Sequence, residues 1–172
     1  SDLIGLAGVS FGYHTYQVGQ NGGLSQADIL AVLTTGAATD GKVKLSSTGN
    51  YLGVVALDNG WHYGALNLAQ METALGGGKV WLGTSTGNQI YFAPTLSPGA
   101  DAVYRLGGGG NQGSLVLGGN AFENVLTGAN AVHVGANDFG FNAVSYVNGN
   151  FNLTLRTRNN FSGDVTADRD ST

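Results

Sequence analysis

Three histidines, His14, His62 and His133, are the side chains best suited to proton transfer or metal ligation near neutral pH. None has a ligand-type partner two, three or four residues downstream, so no local metal spacing exists. Each lies beside aromatic or β-branched residues (Tyr13 and Thr15, Trp61 and Tyr63, Val132 and Val134). That setting predicts strand histidines, packed on one face with a ring nitrogen satisfied. Carboxylates are sparse, and Glu72 and Glu123 are the only glutamates. Glycoside hydrolysis needs two facing carboxylates, whereas Asp58 (in Asp58-Asn59-Gly60) and Asp101 (after Gly99-Ala100) read as turn residues. Asp164, Asp168 and Asp170 form a weak calcium candidate, without the spacing, glycine or terminal glutamate of a calcium loop. They read as part of a solvated tail.

The glycine run Gly107-Gly108-Gly109-Gly110 is not a phosphate loop. The strand-like Leu115-Val116-Leu117 follows it, and no lysine occurs after Lys79. With no cysteine and no Gly-x-Ser-x-Gly elbow, thiolate and serine nucleophiles are unsupported as well. The expectation is a protein without catalytic residues, cofactor or metal. The aromatics leave one open possibility. Trp61, Tyr63, Trp81, Tyr91 and Tyr104, with Phe92 among them, are candidate glycan contacts if exposed, and packing residues if buried.

The elements that would position these residues are short. Of 172 residues 30 are glycine and only 10 % are charged, yet 42 % are hydrophobic, which argues against simple disorder. Seven Lys plus Arg and a formal charge of −4 cannot neutralise a run of phosphates, so nucleic acid and anionic membranes are not expected partners. No apolar run is long enough to span a bilayer as a helix. Tight-turn pairs recur at Gly49-Asn50, Gly87-Asn88, Gly110-Asn111, Gly119-Asn120 and Gly149-Asn150. Between the turns lie strand-like runs: Val80 to Leu82, Gln89 to Phe92, Ala102 to Leu106, Ser114 to Leu117, Phe122 to Leu126, Ala131 to Val134, Phe141 to Val147, Phe151 to Thr157 and Phe161 to Thr166. Their centres recur at about 8 to 14 residues, as in a sandwich, barrel or solenoid. Phe151, Leu153 and Leu155 alternate with Asn152, Thr154 and Arg156, predicting one buried and one wet face. Two segments carry helix grammar. Residues 25–35 have Ser25 as cap and Gly36 beyond the end, and 67–75 have Asn67 as cap, Gln70 three residues on and Gly76 as stop.

Leu96-Ser97-Pro98, then Tyr104-Arg105-Leu106-Gly107-Gly108-Gly109-Gly110, then Gly113-Ser114-Leu115-Val116-Leu117 resembles a recurring block of large bacterial autotransporter passengers. Asn152-Leu153-Thr154-Leu155 followed by Asn159-Asn160-Phe161-Ser162-Gly163 is similar to the autotransporter-associated β-strand repeat. Val54-Val55-Ala56-Leu57 and Gly83-Thr84-Ser85 fit the upstream part, so the resemblance spans about residues 50–166. It implies a right-handed parallel β-helix in a secreted, cell-surface polypeptide, without enzymatic activity and forming one part of a larger passenger.

The expected fold is therefore all-β: a right-handed parallel β-helix (solenoid) with one or two short helices in the N-terminal half, and a β-sandwich as the alternative. A β-rich part with the helices spans 1–78, solenoid rungs span 79–166 and a polar tail spans 167–172, together one structural domain. The expected role is a non-enzymatic structural or adhesive segment at the bacterial cell surface, partnered by itself in a fibre or by neighbouring segments of a passenger. A carbohydrate-binding module is the alternative. A β-helix polysaccharide lyase or hydrolase ranks last, because it needs acidic and basic residues gathered on one face.

Overall fold

The computed structural model describes residues 10–11, 26–31, 52–57, 61–74, 79–84, 88–107, 114–119, 124–135, 151–156, 158–168 and 171. Among them the chain is mostly short strands, an all-β arrangement with two short helices. In order these are β1 (Ser10–Phe11), α1 (Gln26–Ala31), β2 (Leu52–Leu57), β3 (Trp61–His62), β4 (Leu66–Asn67), α2 (Leu68–Ala74), β5 (Lys79–Thr84) and β6 (Asn88–Tyr91). β7 (Leu96–Ser97), β8 (Val103–Leu106), β9 (Ser114–Leu117), β10 (Ala131–Val134), β11 (Asn152–Leu155) and β12 (Val165–Ala167) follow.

The strands form three sheets, ordered β1-β2-β5-β8-β10-β12, β11-β9-β6-β3 and β4-β7. Every strand pairing among the described residues is parallel. Each strand pairs with one that lies a full pass further along the chain, as in Leu52↔Lys79, Leu82↔Leu106, Val103↔Ala131 and Val132↔Val165. Partners lie 24 to 33 residues apart, about three of the strand intervals read from the sequence, except in the β9–β11 (38) and β1–β2 (44) pairs.

The in-register pairing stacks like on like. Val55, Leu82, Leu106 and Val134 form one column of the core. His62, Tyr91 and Leu117 form another on the four-stranded sheet. Leu82, Leu106, Leu115 and Leu117 are fully buried, each contributing about 1.5–3 kcal/mol relative to exposure. β5 is buried almost throughout because both its faces are covered. Val80 and Leu82 fill the core, while the outward Trp81 lies under the Arg105 guanidinium, 5.4 Å from its ring, and donates its indole N–H to Gly135 O (2.9 Å).

The helix cap is as expected: Asn67 Oδ1 accepts the Gln70 amide at 3.1 Å, opening α2 directly from the end of β4. The first helix occupies Gln26–Ala31 within its expected span; Ser25 and residues 32–35 lie outside the described residues. Gln26 treats Asn67 as a strand neighbour would, donating to Asn67 O (3.1 Å) and accepting from Asn67 N–H (3.0 Å).

Three strand expectations are corrected. Asn124 to Leu126, the described part of Phe122 to Leu126, is bent and not extended, with Asn124 at φ 61°. Phe161 to Asp164 is not a strand either, because it hydrogen-bonds along that irregular neighbour (Asn160 N–H to Leu126 O, Ser162 N–H to Gly128 O), so β12 starts at Val165. Phe151, just before β11, is buried and Leu153 partly so, but Leu155 is 41 % exposed, because β11 ends its sheet and no described pass covers it. Residues of the expected polar tail join the sheets: Ala167 closes β12, and Ser171 bridges to Phe151. Phe141 to Val147 lies outside the described residues.

Glycine sets the corner after the six-stranded sheet. Gly107 and Gly135 stack in successive passes, their N–H groups donating to Leu82 O and Leu106 O (both 2.8 Å). A Cβ on Gly107 would sit 2.7 Å from the Gly135 backbone, and one on Gly135 2.6 Å from Asp168 and Ser171 atoms at φ +104°. Gly135→Ala should therefore lower stability by about 1–3 kcal/mol or more in urea titration; unchanged stability would contradict this stacking.

Candidate functional site

The described histidines stand on different sheets. His62 is on β3 of the four-stranded sheet and His133 on β10 of the six-stranded one, while His14 lies outside the described residues. His62 is 3 % exposed, with its ring stacked 5.5 Å from that of Tyr91. Burial pulls its pKa from 6.5 to about 4, partly opposed by a backbone hydrogen bond to Gly64, and Nε2 has no partner. It is a neutral core residue. His133 Nε2 lies 2.7 Å from Asp168 Oδ1, tying β10 to the residue that follows β12, and its ring packs edge-on against Trp81 (6.4 Å).

Asp168 is engaged with His133, Asp164 is exposed, and Asp170 lies outside the described residues, as do Asp58 and Glu123. Among the described residues no group of three or more His, Asp and Glu could hold a metal ion.

The charged groups that do converge belong to a network not anticipated from the sequence. Asp101 sits in the turn before β8, where Gly99 N–H donates to Val103 O. Arg105 Nη1 and Nη2 meet Asp101 Oδ1 (2.8 Å) and Oδ2 (2.5 Å), and Lys79 Nζ adds a 2.8 Å contact. The Arg105 bonds, strengthened by Lys79, hold the Asp101 carboxyl well below the usual range, despite an opposing effect of burial. Behind them Glu72 of α2, 2 % exposed, accepts from Ala100 N–H (2.8 Å), Val80 N–H (3.4 Å) and Arg105 Nη1 (3.5 Å). A buried carboxyl group that takes donors from the turn before β8, from β5 and from Arg105 is a clamp joining α2, β5 and β8. The one clue in the sequence is Arg105 itself, a cation inside the apolar run Val103 to Leu106.

The aromatic candidates divide sharply. Trp81, Tyr91 and Tyr104 are 3 %, 0 % and 1 % exposed, so they cannot offer a face to a glycan and are corrected to packing residues. Tyr91 OH accepts from Leu66 N–H (2.8 Å) and donates to Thr95 O (2.7 Å), and burial pushes its phenol pKa up. Tyr104 OH donates to Thr127 O (3.2 Å) and accepts from Thr127 N–H (3.1 Å). Trp61 and Tyr63 are 45 % and 48 % exposed. Both pack on Phe92, whose ring centre lies 6.2 Å from that of Trp61, edge-on, and 5.3 Å from that of Tyr63, stacked.

In comparisons with protein families, curated proteins and solved structures, none matches this chain. No helix among the described residues is long and apolar enough to cross a membrane.

Two outcomes test these assignments. Because the folded His62 resists protonation, its contribution to stability is complete above pH 6.5 and is lost as the pH falls towards 4, about 3 kcal/mol in all. Denaturant titrations across that window should show the loss, and His62→Phe should flatten it. Glu72→Ala leaves Arg105 its Asp101 partner but strips the Ala100 and Val80 N–H groups of their acceptor, and should cost about 2–4 kcal/mol; a loss below about 1 kcal/mol, the range of an exposed pair, would contradict the clamp.

Proposed function

We propose that this chain is a segment of a right-handed parallel β-helix, and that it serves as a non-enzymatic structural and adhesive element of a secreted bacterial surface protein. Its ends add further coils, supplied by neighbouring segments of the same passenger or by a second copy. The observation that carries the reading is the pairing. Every described ladder is parallel, and each joins strands one pass apart. A sandwich is built from antiparallel strands and would pair hairpin neighbours instead. Right-handed winding follows from the strong preference of parallel crossover connections.

The reading is also supported by where apolar surface is left over. β12 ends the six-stranded sheet with all three residues exposed, Val165 at 61 %, and Leu155 is exposed at the end of the four-stranded sheet. A parallel strand edge with apolar side chains is a template for one more strand in the same register. The resemblance to autotransporter passengers around residues 50–166 fits the same role, and the charged residues that converge at Glu72, Asp101 and Arg105 are consumed in structural pairing.

Light scattering on the purified chain at micromolar concentration tests the assembly. The expected result is association beyond the monomer, abolished by Val165→Lys with an unchanged circular dichroism spectrum. A wild type that stays monomeric, or a Val165→Lys variant that associates equally well, would overturn it.

A further inference from the structure

The corner after the six-stranded sheet changes its device at the last described pass. Gly107, Gly135 and Asp168 occupy it in succession, their N–H groups donating to Leu82 O, Leu106 O and Val134 O (2.8 Å each). The two glycines take positive φ there, and Asp168 does not. Its side chain turns back to β10, where Oδ1 lies 2.7 Å from His133 Nε2. Gly135 leaves the room for it, since a Cβ at 135 would lie 2.6 Å from Asp168 Cβ and 2.8 Å from Asp168 Oδ2. The His133 and Asp168 side chains are 17 % and 10 % exposed, so water screens their contact less than it screens a surface pair. β12, which the contact secures, is three residues long and exposed throughout, the kind of short edge that opens most easily.

Histidine is the side chain that changes charge between about pH 5 and 8. A charged imidazole makes the contact with Asp168 an ion pair, whereas a neutral one leaves a hydrogen bond about half as strong. Other groups face the ring. Arg105 on β8 and Thr166 on β12 are its in-register partners, and Trp81 on β5 meets it edge-on at 6.4 Å. Arg105 is bonded in turn to Asp101 and Glu72, and Lys79 to Asp101. Asp164, just before β12, is exposed, and Arg169 and Asp170 lie outside the described residues. Arg105 and Trp81 stand on strands that stay in place whether β12 is seated or lifted, so their effects on the imidazole cancel between the two states. Among the described groups it is the carboxylates Asp168 and Asp164 that leave with β12. A charged His133 therefore favours the seated strand, and loss of its proton favours lifting. We propose that His133 and Asp168 form a protonation-dependent latch on the last pass, holding β12 firmly when the imidazole is charged and loosely when it is neutral. The proposal deepens the assembly reading above and rests on it for treating β12 as the edge to which a further pass adds, though not for the latch itself.

The test is amide hydrogen exchange at about pH 6 and pH 8, corrected for the intrinsic rate, on the full chain carrying Val165→Lys to keep it from assembling. Asp168 N–H, bonded to Val134 O, and Val132 N–H, bonded to Asp164 O, both lose their partners when β12 lifts. Their protection should fall about three- to fivefold from the lower pH to the higher, the upper end of what an exposed ion pair gives. His133→Gln keeps a hydrogen-bond donor without the charge and should show no such fall. Asp168→Asn, which removes the other charge, should behave alike. His62 is present in both variants, so any effect of its protonation is common to all three proteins and drops out of the comparison. Equal protection at the two pH values with His133 and Asp168 in place, or a fall of the same size in either variant, would overturn the latch. Assembly of the wild type is read separately by light scattering, so its failure would strike the fibre reading while exchange still decides the latch.

Discussion

No described strand is long enough to stand alone. The described strands run from two to six residues, and pairs of that size are marginal in water without a shared apolar face. The parallel in-register ladder removes the difficulty, because each pass supplies both hydrogen-bond partners and a slice of core to the next. Leu82 pairs with Val55 on one side and Leu106 on the other, and Leu106 with Val134 in turn. The core is a set of columns whose members come from distant parts of the sequence, so its stability is a neighbour-to-neighbour property.

That arrangement leaves its difficulties at the corners, where the backbone turns and its polar groups lose ladder partners. Different devices answer them. Tyr91 and Tyr104 send their hydroxyls to the backbone of Leu66, Thr95 and Thr127. The Gln26 amide stands in for a strand beside Asn67. Gly107 and Gly135 allow successive turns to approach more closely than a Cβ permits. Glu72 and Arg105 lock α2 against β5 and β8. Buried polar groups thus fix where each pass begins and ends, while the apolar columns hold the passes together.

What could be read from the sequence follows from this division. The all-β class and the Asn67 cap were legible because they depend on residues a few positions apart, whereas the five turn pairs fall wholly or partly outside the described residues. The exposure of individual side chains was not. Trp81 and Tyr63 look alike in sequence, each an aromatic in a short strand-like run. One is covered by Arg105 and the Gly135 carbonyl from later passes, and the other stacks on Phe92 and stays 48 % exposed. Leu155 has the alternation of a buried residue but lacks a described pass above it. Asn124 to Leu126 has strand-like residues, yet Asn124 takes a positive φ and the segment bends. Pairing across a whole pass leaves no local trace, which is also why the Glu72–Arg105 contact was missed.

The proposed surface role depends on the same pairing, since a further pass would have to add to the last strand in the same parallel register. The chain has no cysteine of its own, so introduced thiols report it without interference. Asn88 and Ser114 are in-register partners on β6 and β9, within the Cα separation that a disulfide spans, about 4.4–6.8 Å. The account predicts that Asn88→Cys with Ser114→Cys oxidises readily to an intramolecular bond in the folded chain. A pair that stays reduced while circular dichroism reports an intact fold would contradict the parallel register on which the account stands.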